Sequence, residues 1–280
     1  MDRKVAQVVT GMATQDGAGV KLVRVLGNRN TEAFDPFLML DAFDSHDPRD
    51  YVKGFPWHPH RGIETVTYLI KGDIEHGDSL GNQGSILDGC CQWMTAGSGI
   101  LHQEMPKPSE RMLGLQLWLN LPASAKMTHP KYHDIRDADV PRVKEEGAEI
   151  RVISGHYKGQ AGAAQGDHVK MTMLDVDLQP GADFHMETPK DETLFTYLVA
   201  GGGELGADKQ PIQEKHAALY TTGDNLSIKA GDKGLRLVLC MAKPLNESIA
   251  WGGPIVMNTR EELQMAFDEL DAGTFIKHKA

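Results

Sequence analysis

At 280 residues and a formal charge of −10, the chain has room for one large or two ordinary domains, and it lacks the basic excess that nucleic-acid binding needs. No apolar run approaches the ~18 residues of a membrane span, and residues 1–7 lack the apolar core of a signal peptide. Direct nucleic-acid contact and a membrane role are excluded on these grounds, and a cytoplasmic protein is expected. Cys90, Cys91 and Cys240, an odd set, read as reduced thiols serving as small buried hydrophobes.

Thirty glycines favour tight turns and many short strands. Residues 19–26 alternate apolar and polar, as a half-buried strand does. Residues 35–43 form a short apolar run between turn formers, which predicts a buried strand. A polar loop over 44–54 leads into an extended segment, 57–60. Residues 64–70 are rich in β-branched and aromatic side chains, and 73–79 continue as a strand after the turn at Gly72. Residues 85–94 read as strands bent at Gly89. Over 111–121, Leu113, Leu115, Leu117, Leu119 and Leu121 share one face and are expected to supply the core. Residues 122–148 are more polar and carry Pro122, Pro130 and Pro141, so a boundary is placed here, giving domains 1–125 and 126–280. A second set of strands is expected at 150–154, 169–178, 193–200, 217–221, 225–229 and 235–242. The turns between them include Gly201-Gly202-Gly203 and Gly231-Asp232. The pattern predicts an all-β fold of two successive antiparallel β-barrels. One helix follows: Thr259 caps it, Glu262 completes a capping box, and Leu263, Ala266, Phe267 and Leu270 make its apolar stripe.

Two short patterns carry chemistry. In Trp57-His58-Pro59-His60, alternation sends His58 and His60 to the same face, and paired imidazoles suggest a metal site. In His102-Gln103-Glu104, His102 and Glu104 likewise share a face. Two such strands meeting inside a barrel surround one ion with three nitrogens and one carboxylate. Around a divalent ion that set leaves a net charge of about +1 and two open positions in an octahedron, which marks a catalytic rather than a closed site. The donors suit iron, nickel, copper, manganese or zinc, with no thiolate to select among them. His76, His129 and His133 read as exposed histidines without a role. In the later half, His185-Met186-Glu187 lacks a second histidine, so that domain is expected to hold no metal. Gly201-Gly202-Gly203 precedes no helix and is not a phosphate loop.

Gly54…His58-x-His60-x3-Glu64 resembles the first cupin motif, and Gly97-x-Gly99-x2-His102 the second. More closely, the block from Asp35-Pro36-Phe37 through His58-Pro59-His60-Arg61-Gly62, Glu64-Thr65-Val66, Gln92-Trp93-Met94 and His102 to Glu104-Met105-Pro106 resembles the pirin family. The resemblance implies two jelly-roll barrels in a bicupin arrangement. It implies His58, His60, His102 and Glu104 as metal ligands and Fe2+ as the first candidate ion. Many cupins use the glutamate at the position of Glu64 as a ligand. Here it is expected as a neighbour of the ligands that takes part in proton transfer, as Glu104 also can. The implied activity is opening of a flavonol such as quercetin by dioxygen, with Phe43, Trp93, Met94 and Met105 excluding water. The alternative is a metal- or redox-responsive binding protein that regulates a protein partner.

Overall fold

The computed structural model describes residues 1–278, and the strand counts below are of these residues. Two compact units form, each from several stretches of chain. One comprises Met12–Thr31, Phe37–Asp137 and the segment from Leu245 onward; the other comprises Met1–Gly11, Glu32–Pro36 and Ala138–Pro244. The expected boundary between residues 125 and 126 is therefore corrected at both ends of the chain. Strand Val5–Thr10 pairs with His216–Tyr220, and the C-terminal helix belongs with the histidine strands. Sheet edges and apolar faces choose their partners in space, which a change of composition along the chain does not report.

The histidine unit holds two large antiparallel sheets and a short two-stranded one, Ala250–Gly252 with Ile255–Met257. The larger runs Lys131–Ile135, Cys91–Thr95, Ile63–Lys71, Met112–Asn120, Phe37–Ser45, Val20–Leu26, Met12–Asp16; the smaller runs Phe55–His60, Ile100–Pro106, Ile74–Asp78, Gln83–Ile86. Val20, Leu22, Phe43, Leu69 and Met112 of the larger sheet pack with Ile74 and Ile86 of the smaller.

Strand register shows which side of the larger sheet faces this interior. Leu115, Gln116, Leu117, Trp118 and Leu119 lie opposite Tyr68, Thr67, Val66, Thr65 and Glu64, without a bulge among them. Opposed residues share a face. The Thr67 hydroxyl donates to Glu104 Oε1 on the smaller sheet at 2.9 Å. Thr65, Thr67, Gln116 and Trp118 therefore face inward, and the leucines face the other way with Val66 and Glu64. Leu115, Leu117 and Leu119 are nonetheless buried, so this sheet is covered on both faces. Alternation identifies residues that share a face; it does not say which face is inside.

The second unit is a nine-stranded antiparallel sheet over a core that includes Ile150, Leu174, Val176, Phe184, Leu198 and Leu237. Two expected turns are corrected here. Gly201-Gly202-Gly203 and Gly231-Asp232 lie inside the strands Thr193–Leu205 and Asn225–Ala242. The two strands pair with register shifts between Leu198 and Ala200 and between Gly201 and Gly203. A Cβ at Gly201 would stand 2.2 Å from the Gly234 carbonyl oxygen, and one at Gly203 2.2 Å from that of Lys229. Glycine here admits a bulged, closely approached backbone rather than reversing the chain.

Helix Arg260–Asp271 starts as expected, with Thr259 and Glu262 forming a reciprocal capping box, a device that stabilises a helix by about 1 kcal/mol. Its apolar stripe packs on Ile255, Met257 and Phe275. Among the described residues no helix is long and apolar enough to cross a membrane.

Candidate metal centre

Strand Phe55–His60 lies at the edge of the four-stranded sheet, where Pro56 and Pro59 can lack an N–H without breaking a ladder. Alternation leaves Trp57 outside, 55% exposed, and turns His58 and His60 inward. His58 stands opposite His102 and His60 opposite Ile100 on strand Ile100–Pro106. One ligand nitrogen from each of His58, His60 and His102 lies within 4.8 Å of the others, and this is the metal-competent group among the described residues.

Hydrogen bonding fixes two of the tautomers. His58 Nδ1 donates to the Pro56 carbonyl at 2.9 Å, and His60 Nδ1 donates to that of Pro254 at 3.0 Å. A carbonyl only accepts, so each proton sits on Nδ1 and each lone pair on Nε2. Those Nε2 atoms face each other across 3.1 Å, lone pair against lone pair. His102 is 1% exposed, and neither of its ring nitrogens has a hydrogen-bond partner among the described residues. Three acceptor nitrogens without donors, two of them on buried rings, are costly, and a single cation satisfies them together. Nitrogens bound at about 2.1 Å and at right angles stand about 3.0 Å apart, which matches the observed Nε2 separation. The donor set thus fits a transition metal.

Electrostatics keep the imidazoles available. Burial, followed by the charge of His58, pushes His60 down to about 3 against the pull of the Pro254 carbonyl. Burial, then His60, His58 and His76, holds His102 well below the usual histidine range. Both rings stay neutral near pH 7, the form that ligates.

The two glutamates separate. Glu104 is buried on the inward face of its strand, two residues from His102, with Oε1 accepting from Thr67. It is not part of the three-histidine group, and the register between its strand and Phe55–His60 shifts between His102 and Glu104. Glu64 is fully buried on the opposite face of the larger sheet, where Oε1 accepts from Thr95 at 2.8 Å. The expected role for Glu64 beside the ligands is corrected by that orientation.

The lining also changes. Met94 lies opposite Thr65 and faces inward, and Phe43 belongs to the core between the sheets. Trp93 alternates to the other face with Val66, and Met105 alternates outward between Glu104 and Pro106. Trp118, which the leucine pattern obscured, meets His60 edge-on at 4.9 Å between ring centroids. His76 is buried rather than exposed, opposite Glu104 in register and 5.5 Å from the His102 ring. Its Nε2 lies 3.4 Å from Asp78. The alternation of Ile74, His76 and Asp78 was the signal that would have placed it inside. His129, His133 and His185 are exposed.

Two β-units, one carrying a three-histidine site between its sheets, define a cupin protein of the two-domain kind. The Pirin family model matches residues 19–119, and the Pirin C-terminal cupin domain model matches residues 173–276. The chain belongs to the pirin family. It is 41% identical over 276 residues to a pirin-like protein of Caulobacter vibrioides, covering 98% of this chain and 99% of that one. It is 38% identical to human pirin over 268 residues, covering 94% and 91%. Among solved structures, a quercetin 2,3-dioxygenase from Acinetobacter baumannii superposes with a TM-score of 0.90 at 31% identity, covering 98% of this chain and 99% of that one.

Proposed function

We propose that the chain binds one divalent transition metal through His58, His60, His102 and Glu104 and opens the ring of a flavonol such as quercetin with dioxygen. The observation that carries the metal reading is the pair of fixed Nε2 lone pairs converging on the partnerless His102 ring. The reaction is supported by likeness to a structure named a quercetin 2,3-dioxygenase. Ferrous iron is the first candidate; nickel, copper, manganese and zinc suit the same donors. When bound, the ion would supply Lewis acidity toward a substrate hydroxyl and, if it is one of the redox-active candidates, electron exchange with dioxygen.

The protein's own groups do the rest. His58 is only half-buried and lies at the sheet edge, so substrate is admitted from its side. His60 and His102 are sealed within. Trp118, Met94 and Phe55, whose ring is 6.5 Å from that of His58, give the aromatic rings of a flavonol apolar surface and keep water from the site. Glu104, oriented by Thr67, takes the proton of the substrate hydroxyl on its free lone pairs. A cytoplasmic location is part of the same proposal, and among the described residues no helix is long and apolar enough to cross a membrane.

Incubating metal-loaded protein with quercetin under air, while following near-visible absorbance and dioxygen uptake, tests the reaction. A fall in absorbance together with consumption of dioxygen is expected, and loading without turnover contradicts it. A second reading, a metal-responsive protein that binds a protein partner, is favoured by Trp57, an exposed indole next to a ligand histidine. Loading without turnover is the outcome that selects it.

A further inference from the structure

His60 is held by a residue far away in sequence. The carbonyl that fixes its tautomer belongs to Pro254, 194 positions later, in the turn between the paired strands Ala250–Gly252 and Ile255–Met257. The neighbouring residues bind this turn to the histidine strand. Val256 N–H donates to the Arg61 carbonyl at 3.1 Å. The Lys126 ammonium donates to the carbonyls of Gly62 and Val256, each at 2.9 Å, and to Asn120 Oδ1. There is no slack between the two segments, since a Cβ at Gly62 would stand 1.9 Å from the Val256 carbonyl oxygen.

Arg61, next to His60, is 2% exposed. Its Nε donates to the Ser98 carbonyl at 2.7 Å, in the glycine-rich loop before His102. Its Nη2 donates to the Phe275 carbonyl at 2.8 Å, and the Phe275 ring lies 4.2 Å from the guanidinium carbon. Its Nη1 pairs with Glu269 Oε2 at 2.8 Å. A buried guanidinium requires a counter-charge, and Glu269, on the C-terminal helix, is the carboxylate that pairs with it. Lys277 holds the other oxygen of that carboxylate at 2.8 Å from the exposed side. The same helix packs through Leu263, Ala266 and Phe267 against Ile255 and Met257, so it bears on the hairpin whose turn presents the Pro254 carbonyl.

We propose that Glu269 is a positioning residue for the metal centre. It touches no histidine, and it acts by neutralising Arg61 and so holding the C-terminal segment where Pro254 fixes the His60 ring. The inference rests on the metal reading above. It deepens that reading by making the C-terminal helix part of what sets metal affinity.

The test uses the full chain and Ni2+ alone, titrated against a chelator of known affinity. Glu269→Gln is expected to bind Ni2+ at least about 10-fold more weakly, the usual effect of losing an outer hydrogen-bonding partner of a metal site. Glu269→Asp is expected to recover most of the loss. Lys277→Met, which removes only the outer partner of Glu269, is expected to match the wild type. Nitrogen-15 NMR of the metal-free imidazoles gives a second readout: the Nδ1–H form of His60 dominates in the wild type and gives way to mixed tautomers in Glu269→Gln. If Glu269→Gln leaves Arg61 unpaired and fails to fold, the double variant Arg61→Met/Glu269→Gln removes both charges and keeps the fold. It is expected to show the same loss of Ni2+. A folded Glu269→Gln or double variant with wild-type Ni2+ affinity and an unchanged His60 tautomer overturns the inference. A wild-type chain that binds no Ni2+, Fe2+ or other divalent ion overturns the metal reading on which it rests.

Discussion

Replacing Thr67 by Val tests how Glu104 is held without touching a histidine. Thr67 is 2% exposed, and its hydroxyl lies 2.9 Å from Glu104 Oε1 and 2.7 Å from Gln116 Oε1. Valine has nearly the same shape, so the cavity term is negligible and the hydroxyl alone is lost. Leaving the two buried groups without that partner costs about 1–3 kcal/mol of stability. The larger effect falls on the metal. Losing a hydrogen bond that orients a ligating carboxylate commonly costs 10–100-fold in affinity, or about 1.4–2.7 kcal/mol at 1.36 kcal/mol per decade. The assay is chelator competition on purified wild type and Thr67→Val, with metal-free melting as the control. A Thr67→Val protein that melts slightly lower and binds metal with wild-type affinity refutes Glu104 as a ligand.

Glu64→Gln is expected to retain its metal in full, because Glu64 faces away from Thr67 and Glu104; metal content after parallel purification checks it, and an empty Glu64→Gln would return that residue to the centre. The Arg61–Glu269 anchor is expected to be pH-dependent. Burial pushes the Glu269 carboxyl up, but Lys277 and Arg61 more than offset it, so it rests below its ordinary 4.5. A carboxyl depressed in the folded state adds stability above its unfolded pKa and loses it as pH falls through the folded value. The melting difference between metal-free wild type and Glu269→Gln is therefore expected in full at pH 7 and to shrink as pH falls below the ordinary 4.5; a difference that stays unchanged down to acid unfolding contradicts the assignment.

Much of the site was legible because strand alternation is a strict period. His58 and His60, and His102 and Glu104, are two residues apart in extended segments, so each pair had to share a face. The capping box at Thr259 and Glu262 was legible for a similar reason, since its geometry is local. What alternation does not carry is the side of the sheet that lies inside. Leu115, Leu117 and Leu119 looked like the interior of the barrel, yet Gln116, Trp118 and Thr67 line it, because a polar site needs polar inward residues. The same ambiguity put Trp93 and Met105 on the wrong face and hid His76. The contributions of Pro254, Arg61 and Glu269 depend on a segment that returns to the histidine strands after the whole second unit has been traversed. No local pattern encodes such a contact. The glycine triplet at 201–203 misled because glycine serves turns and bulged strands alike.

Metal stoichiometry tests the central claim most directly. Elemental analysis of wild type and His102→Ala, purified side by side and confirmed folded by circular dichroism, compares the cluster with and without its innermost ring. The expected result is about one divalent transition metal per wild-type chain, as a single mononuclear site requires, and none in His102→Ala. The metal-free fold should survive, because the His102 nitrogens have no hydrogen-bond partner among the described residues. About two equivalents in the wild type, or metal retained by folded His102→Ala, would contradict a single centre built on these three histidines.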